Sequence, residues 1–215
     1  MMKIKIALSV TACVLSASVG FAQSAGMTRA HIGHVADAFK DTPKGQGLLP
    51  TAVGEAQIAA THAALAAKST ADLAAMKMHA GHVMHAIDPT LTENQGPGLG
   101  YGLKKAVAAA TYHIEMAAKE KDASQNVKTH SAHVVASNTN VTRRADEIVD
   151  LAQKLRNSKD VGEAAGYINQ INTIAMTLIP GVDANKDGRV SWETGEGGLQ
   201  QSQTHMELMK KGEGI

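Results

Sequence analysis

Apolar positions recur along this chain at intervals of three and four residues, the spacing of one face of an α-helix. No stretch keeps the period-two alternation of a half-buried strand. Prolines at 43, 50, 89, 97 and 180 punctuate the pattern. Helices are expected over 28–40, 51–68, 71–87, 100–121, 125–157, 161–179 and 197–211. Pro50 and Thr51 open the second of these, because a proline in the first turn gives up an N–H that has no helical partner. Asp88-Pro89 and Pro180 stop the third and sixth. Ser124 and Asp160 stand where a side-chain oxygen caps the fifth and sixth. Short links between the central helices suit antiparallel neighbours. The expected fold is therefore all-α, an antiparallel helical bundle.

Histidines lie along the stripes. Ile58, His62 and Leu65 share one face of the helix over 51–68. Met76, Ala80, Val83 and Ile87 line the next helix, with His79 flanking them. Leu103, Ala106, Ala110, His113 and Ala117 follow one stripe, with Ile114 beside it, and Val127, His130, Val134, Val141 and Ile148 follow another. Four successive helices thus carry an imidazole on or beside the core face. Burying four unpartnered imidazoles among aliphatic side chains costs desolvation at each. Inward histidines of a bundle can instead hold a metal ion or, in pairs, a haem iron.

His82 joins His79 as an i, i+3 pair, and His133 joins His130 in the same way. His31 and His34 form a third pair, with Asp37 a turn further on, on what reads as a solvated face. The run His79, His82, His85 walks around its helix by about 60° per step, so all three do not converge, and His85 reads as exposed. His205, near Met206 and Met209, reads as packing or surface.

Composition narrows the chemistry. Hydrophobic residues make up 44% of the chain, enough for a core, while aromatic residues are only 3%, which disfavours a β-sandwich. The single cysteine excludes a disulfide framework and every Cys-x-x-Cys site. A net charge of +1 leaves no basic footprint for nucleic acid. With one thiol in the chain, the 10 histidines and 10 methionines are the available soft and borderline metal ligands. Copper, zinc or nickel suits them, Met76, Met78, Met84 and Met116 lying near the histidines in sequence; haem b would need two axial histidines in a roomy apolar pocket. No Glu-x-x-His motif for a carboxylate-bridged di-iron site is present, nor a Gly-x-Ser-x-Gly, His-Glu-x-x-His or P-loop motif. The glycine-rich run Gly96 to Gly102 follows no strand and reads as a helix connection.

Residues 1–22 have the form of an export signal. Lys3 and Lys5 precede an apolar run from Ile6 to Val19, and Gly20-Phe21-Ala22 ends in a small-x-small cleavage site after Ala22. Val10-Thr11-Ala12-Cys13 also has a lipoprotein-box pattern, but the apolar run continues beyond it. Cleavage after Ala22 removes Cys13 and two lysines. A periplasmic or secreted location follows, with no membrane span in the mature chain. The expected organisation is a signal over 1–22, a His-rich bundle over 23–180 and a C-terminal unit over 181–215.

That unit contains Asp183-Ala184-Asn185-Lys186-Asp187-Gly188-Arg189-Val190-Ser191. The run resembles the calcium loop of an EF-hand. The resemblance implies side-chain oxygen ligands from Asp183, Asn185 and Asp187, a sharp turn at Gly188 and a backbone carbonyl from Arg189. Helices on either side would complete a helix–loop–helix calcium motif. The sequence departs from that family at position twelve, where Thr194 replaces the bidentate glutamate. Glu196, two places late, is favoured over Glu193 to supply it.

The residues therefore point to an exported bundle that binds a transition metal ion or haem through His62, His79, His113 and His130, with His82 and His133 next. Sequestration, delivery or electron transfer, with an exported redox or metal-handling partner, fits that chemistry, and calcium would be structural. The alternative is a non-catalytic structural or interaction protein stabilised by calcium, its histidines being core or surface groups. A metal-dependent enzyme with an open coordination position is a third reading, for which no residue stands out as catalytic.

Overall fold

The computed structural model describes residues 19–93, 96–121 and 123–215, with side chains from residue 26 onward. Its helices are α1 (Val19–Ala36), α2 (Leu48–Ala67), α3 (Leu73–Ile87), α4 (Leu103–Lys119), α5 (Gln125–Asn157), α6 (Val161–Ala175) and α7 (Leu199–Glu213). Single 3-10 turns occur at Pro43–Gly45 and Pro89–Leu91. Among the described residues the only extended pairing is an isolated bridge between Ala38 and Gln46. The expected export signal lies outside the described residues up to position 18. No described helix is long and apolar enough to cross a membrane.

The all-α bundle expected from the sequence is what forms. The 33-residue α5 is its spine, packing against α3, α4, α6 and α7. On the other side, α2 packs on α3, α4 and α6, and α1 packs on α4. Capping side chains fix several starts: Asp72 accepts the Ala75 N–H, Ser124 that of Val127 and Asp160 that of Glu163. The first helix ends at Ala36 rather than near 40, because the Phe39 N–H turns to the Gly45 and Gln46 carbonyls. The sixth stops at Ala175 because the next residues tighten into i, i+3 turns, Leu178 donating to Ala175. Gly181 then reverses the chain at φ 81°, with the Glu196 carbonyl 2.5 Å from where a Cβ would stand. No other residue fits there without moving that backbone.

The core face of α2 differs from the aliphatic stripe expected there. Ala52, Ala56, Ala59, Ala63 and Ala66 are fully buried, while Leu65 is 39% exposed. These alanines recur at four and three residues and form a smooth face on which neighbouring helices approach closely. His62 sits at the edge of that face, half-buried. The stripes of α3, α4 and α5 are as expected: Met76, Val83, Leu103, Ile114, Val134 and Ile148 are all fully buried. The histidines of those helices likewise flank the apolar seam.

A buried carboxylate organises the link between α3 and α4. Glu55 is fully buried and accepts N–H bonds from Leu99 at 3.0 Å, Tyr101 at 3.0 Å and Gly102 at 2.8 Å. The glycine-rich run therefore holds an internal carboxylate, which occupies three of its backbone donors.

Candidate metal centres

Nine of the ten histidines gather into three groups: His31, His34 and His113; His62, His79 and His82; and His130, His133 and His205. Within each group the offered ring nitrogens all lie within 4.8 Å of one another. Each group is therefore able to hold a metal ion. The construction is the same three times. One helix supplies a His-x-x-His pair, whose members stack on one face a turn apart. A packed neighbour supplies the third imidazole. The pairs come from α1, α3 and α5; the single histidines come from α4, α2 and α7.

The Nδ1 atoms converge. His31 and His113 approach to 2.9 Å, His62 and His79 to 3.1 Å, His82 and His62 to 3.3 Å, and His130 and His205 to 3.0 Å. Nitrogens around a tetrahedral ion with bonds of about 2.0–2.1 Å would be about 3.3 Å apart. An N–H···N hydrogen bond has a similar length, so a pair alone does not distinguish the two. The third member does. An imidazole nitrogen carries either one proton or one lone pair and serves one partner well. His62 faces two other Nδ1 atoms, so one of its two contacts is left over. In the other groups the Nδ1 atoms of His34 and His133 are buried with no hydrogen-bond partner. One ion among three lone pairs satisfies every member. No carboxylate belongs to any of the three groups.

For six of the nine imidazoles, burial favours the form a metal needs. Burial, reinforced by neighbouring histidines, lowers the pKa of His31, His62, His82, His113 and His133 below the ordinary imidazole value; Glu120 pulls His31 weakly the other way. His205, 5% exposed, is pushed down to about 4, by burial first and then by His133 and His130. A lone pair free of protons at neutral pH is the metal-binding state.

The residues singled out by sequence, His62, His79, His82, His113, His130 and His133, all fall in these groups, but not together. One shared site among four helices is replaced by three sites, each spanning two. The solvated face expected for His31 and His34 is instead a contact with α4, where His31 is 9% exposed. His205, expected as packing or surface, completes the third group. His85, expected to be exposed, is 7% exposed, because Gly96 and Gly98 of the link fold over that side of α3. Its Nδ1 lies 2.8 Å from the Thr92 hydroxyl, outside every group. The legible signal was three His-x-x-His pairs; of the four remaining histidines, His62, His113 and His205 complete them and His85 does not. Met76 and Met84 are buried in the core, and Met78 is 52% exposed.

The loop after α6 is ordered by its own carboxylates. Asp183 accepts the Asp187 and Gly188 N–H groups, Asn185 that of Asp187, and Asp187 that of Arg189. Gly188 has φ 87°, the sharp turn its place in the run calls for. Glu196 is 2% exposed and folds back under the loop, accepting from the Ser191 hydroxyl at 2.7 Å, the Ser191 N–H at 2.9 Å and the Asn185 N–H at 3.3 Å. The Ser191 hydroxyl foremost, then the backbone donors, holds its carboxyl below the usual range. Glu193 is exposed.

Known protein families, curated proteins and solved structures contain no match to the chain.

Proposed function

We propose that this is an exported protein that sequesters or delivers transition metal ions, carrying up to three, one at each histidine triad. The observation that carries the proposal is the repeated convergence of three imidazoles, with the Nδ1 atoms of His34 and His133 buried and otherwise unpartnered. Copper, zinc or nickel suits all-imidazole ligation. A haem iron takes its axial nitrogens from opposite faces of a porphyrin, roughly 4 Å apart at bond lengths of about 2 Å. A third imidazole within 4.8 Å of both members of a close pair favours a bare ion over haem. Three similar sites suit capacity better than a single redox centre. Export is supported by the form of residues 1–22.

The loop carrying Asp183, Asn185, Asp187 and Arg189, with Glu196 beneath it, is proposed to take a structural calcium ion. Its resemblance to an EF-hand loop and the turn at Gly188 support that role.

The test is elemental analysis and titration of the full-length secreted protein, purified without chelators or nickel affinity. Close to three equivalents of copper, zinc or nickel per chain, with a rise in Tm, is the expected result. No retained transition metal and an unchanged Tm would leave the imidazole contacts as structural hydrogen bonds and overturn the proposal.

A further inference from the structure

The three triads differ in what covers them. Trp192, the only tryptophan of the chain, stacks on His133 with ring centroids 3.8 Å apart and planes at 19°, and meets His205 edge-on at 4.9 Å. At the first triad Phe39 packs only edge-on, 5.3 Å from His34 and 5.2 Å from His113. Among the described residues the second triad has ring contacts only between its own imidazoles, all three half-buried.

The outer side of the indole stays open, Trp192 being 37% exposed, but the backbone that follows it is anchored. Trp192 belongs to the segment between α6 and α7, which α5 grips. Asn140 accepts the Gly195 N–H at 2.8 Å and donates to the Glu193 carbonyl at 2.7 Å. The buried Arg144 guanidinium donates to the Gly195, Glu196 and Gly197 carbonyls at 2.7–2.8 Å. His130, His133, Asn140 and Arg144 lie on one face of α5, so a single helix face presents two ligands and anchors the segment that covers one of them.

We infer that Trp192 is a positioning residue that makes His130–His133–His205 the slowest of the three metal sites to exchange, and that His62–His79–His82 is the fastest. The inference rests on the metal-binding reading above. A stacked indole removes the rotamer freedom that His133 would otherwise lose on binding, so a ring nitrogen is turned toward the cluster before an ion arrives. Release requires the His133 ring to swing away, which breaks its stack with Trp192. The imidazoles of the second triad turn without moving a covering ring.

The test loads the full chain with copper(II) and adds excess chelator. Total release is followed by the absorbance of the copper chelate. Release at the third triad is followed by recovery of Trp192 emission, which a paramagnetic ion beside the indole quenches most strongly. Emission should recover with the last copper released, about 10- to 100-fold more slowly than the first. In Trp192→Ala the slow phase of copper release should merge with the others, and Trp192→Phe should restore part of it. Emission that recovers with the first copper, or a slow phase that persists in a folded Trp192→Ala, overturns the inference and leaves metal binding intact. Failure of the wild-type chain to bind copper or any other transition metal overturns both.

Discussion

Removing His62 tests the three-site architecture most directly. Its Nδ1 lies 3.1 Å from that of His79 and 3.3 Å from that of His82, so His62→Ala leaves two imidazoles one turn apart on a single helix. At free metal near 100 times the dissociation constant, one intact site adds about 2.7 kcal/mol to folding stability. If losing one ligand of three weakens the site about a hundredfold, that contribution falls to about 0.4 kcal/mol. The difference, about 2.3 kcal/mol, corresponds to roughly 5–9 °C in Tm for a chain of this size. The quantity to compare is the rise in Tm on adding metal, measured by calorimetry for variant and wild type alike. That increment removes the packing cost of the lost ring, which is present with and without metal. At that metal concentration, titration in parallel should find about half an equivalent fewer, because the weakened site is half occupied. His85→Ala is the control: His85 bonds Thr92 and belongs to no triad, so stoichiometry and the metal-induced rise should stay at wild-type values. A His62→Ala protein that keeps both quantities refutes the assignment of the second site.

Glu55→Gln should cost about 2–4 kcal/mol in urea unfolding, because an amide cannot accept from three buried N–H groups as a carboxylate does; a loss below about 0.5 kcal/mol would contradict the anchoring role. The metal-free protein should lose stability as pH falls from about 6.5 toward 4. Over that interval the unfolded chain takes up protons on His31, His62, His82, His113, His133 and His205 while the folded chain, with those pKa values lowered, resists. A flat or rising Tm on acidification of the apo protein would reverse that sign. Calcium should raise Tm in the wild type but not in Asp183→Ala, with transition-metal stoichiometry equal in the two proteins; an identical calcium response would remove Asp183 from the proposed ligand set.

The helical period, the prolines and the capping residues Ser124 and Asp160 determined an all-helical chain and approximate helix limits, since these act within a few residues of one another. The His-x-x-His pairs were equally local, because three residues along a helix place two side chains on one face whatever else the chain does. Partnership was not local. His113 joins His31 and His34 from about 80 positions away, and His205 joins His130 and His133 from about 70, distances that only the packing of α1 on α4 and of α5 on α7 closes. Burial also depended on neighbours. The alanine stripe of α2 lies inward because small residues let helices approach, whereas Leu65, more hydrophobic, faces out. His85 is covered by a glycine-rich link that Glu55 fixes in place. Sequence thus determined which histidines share a helix face; tertiary structure decided which imidazoles meet, how many centres they form, and that the segment after α6 lays Trp192 over one of them. Side-chain spacing along a helix is set by backbone geometry, while contacts between helices are set by the fit of whole surfaces.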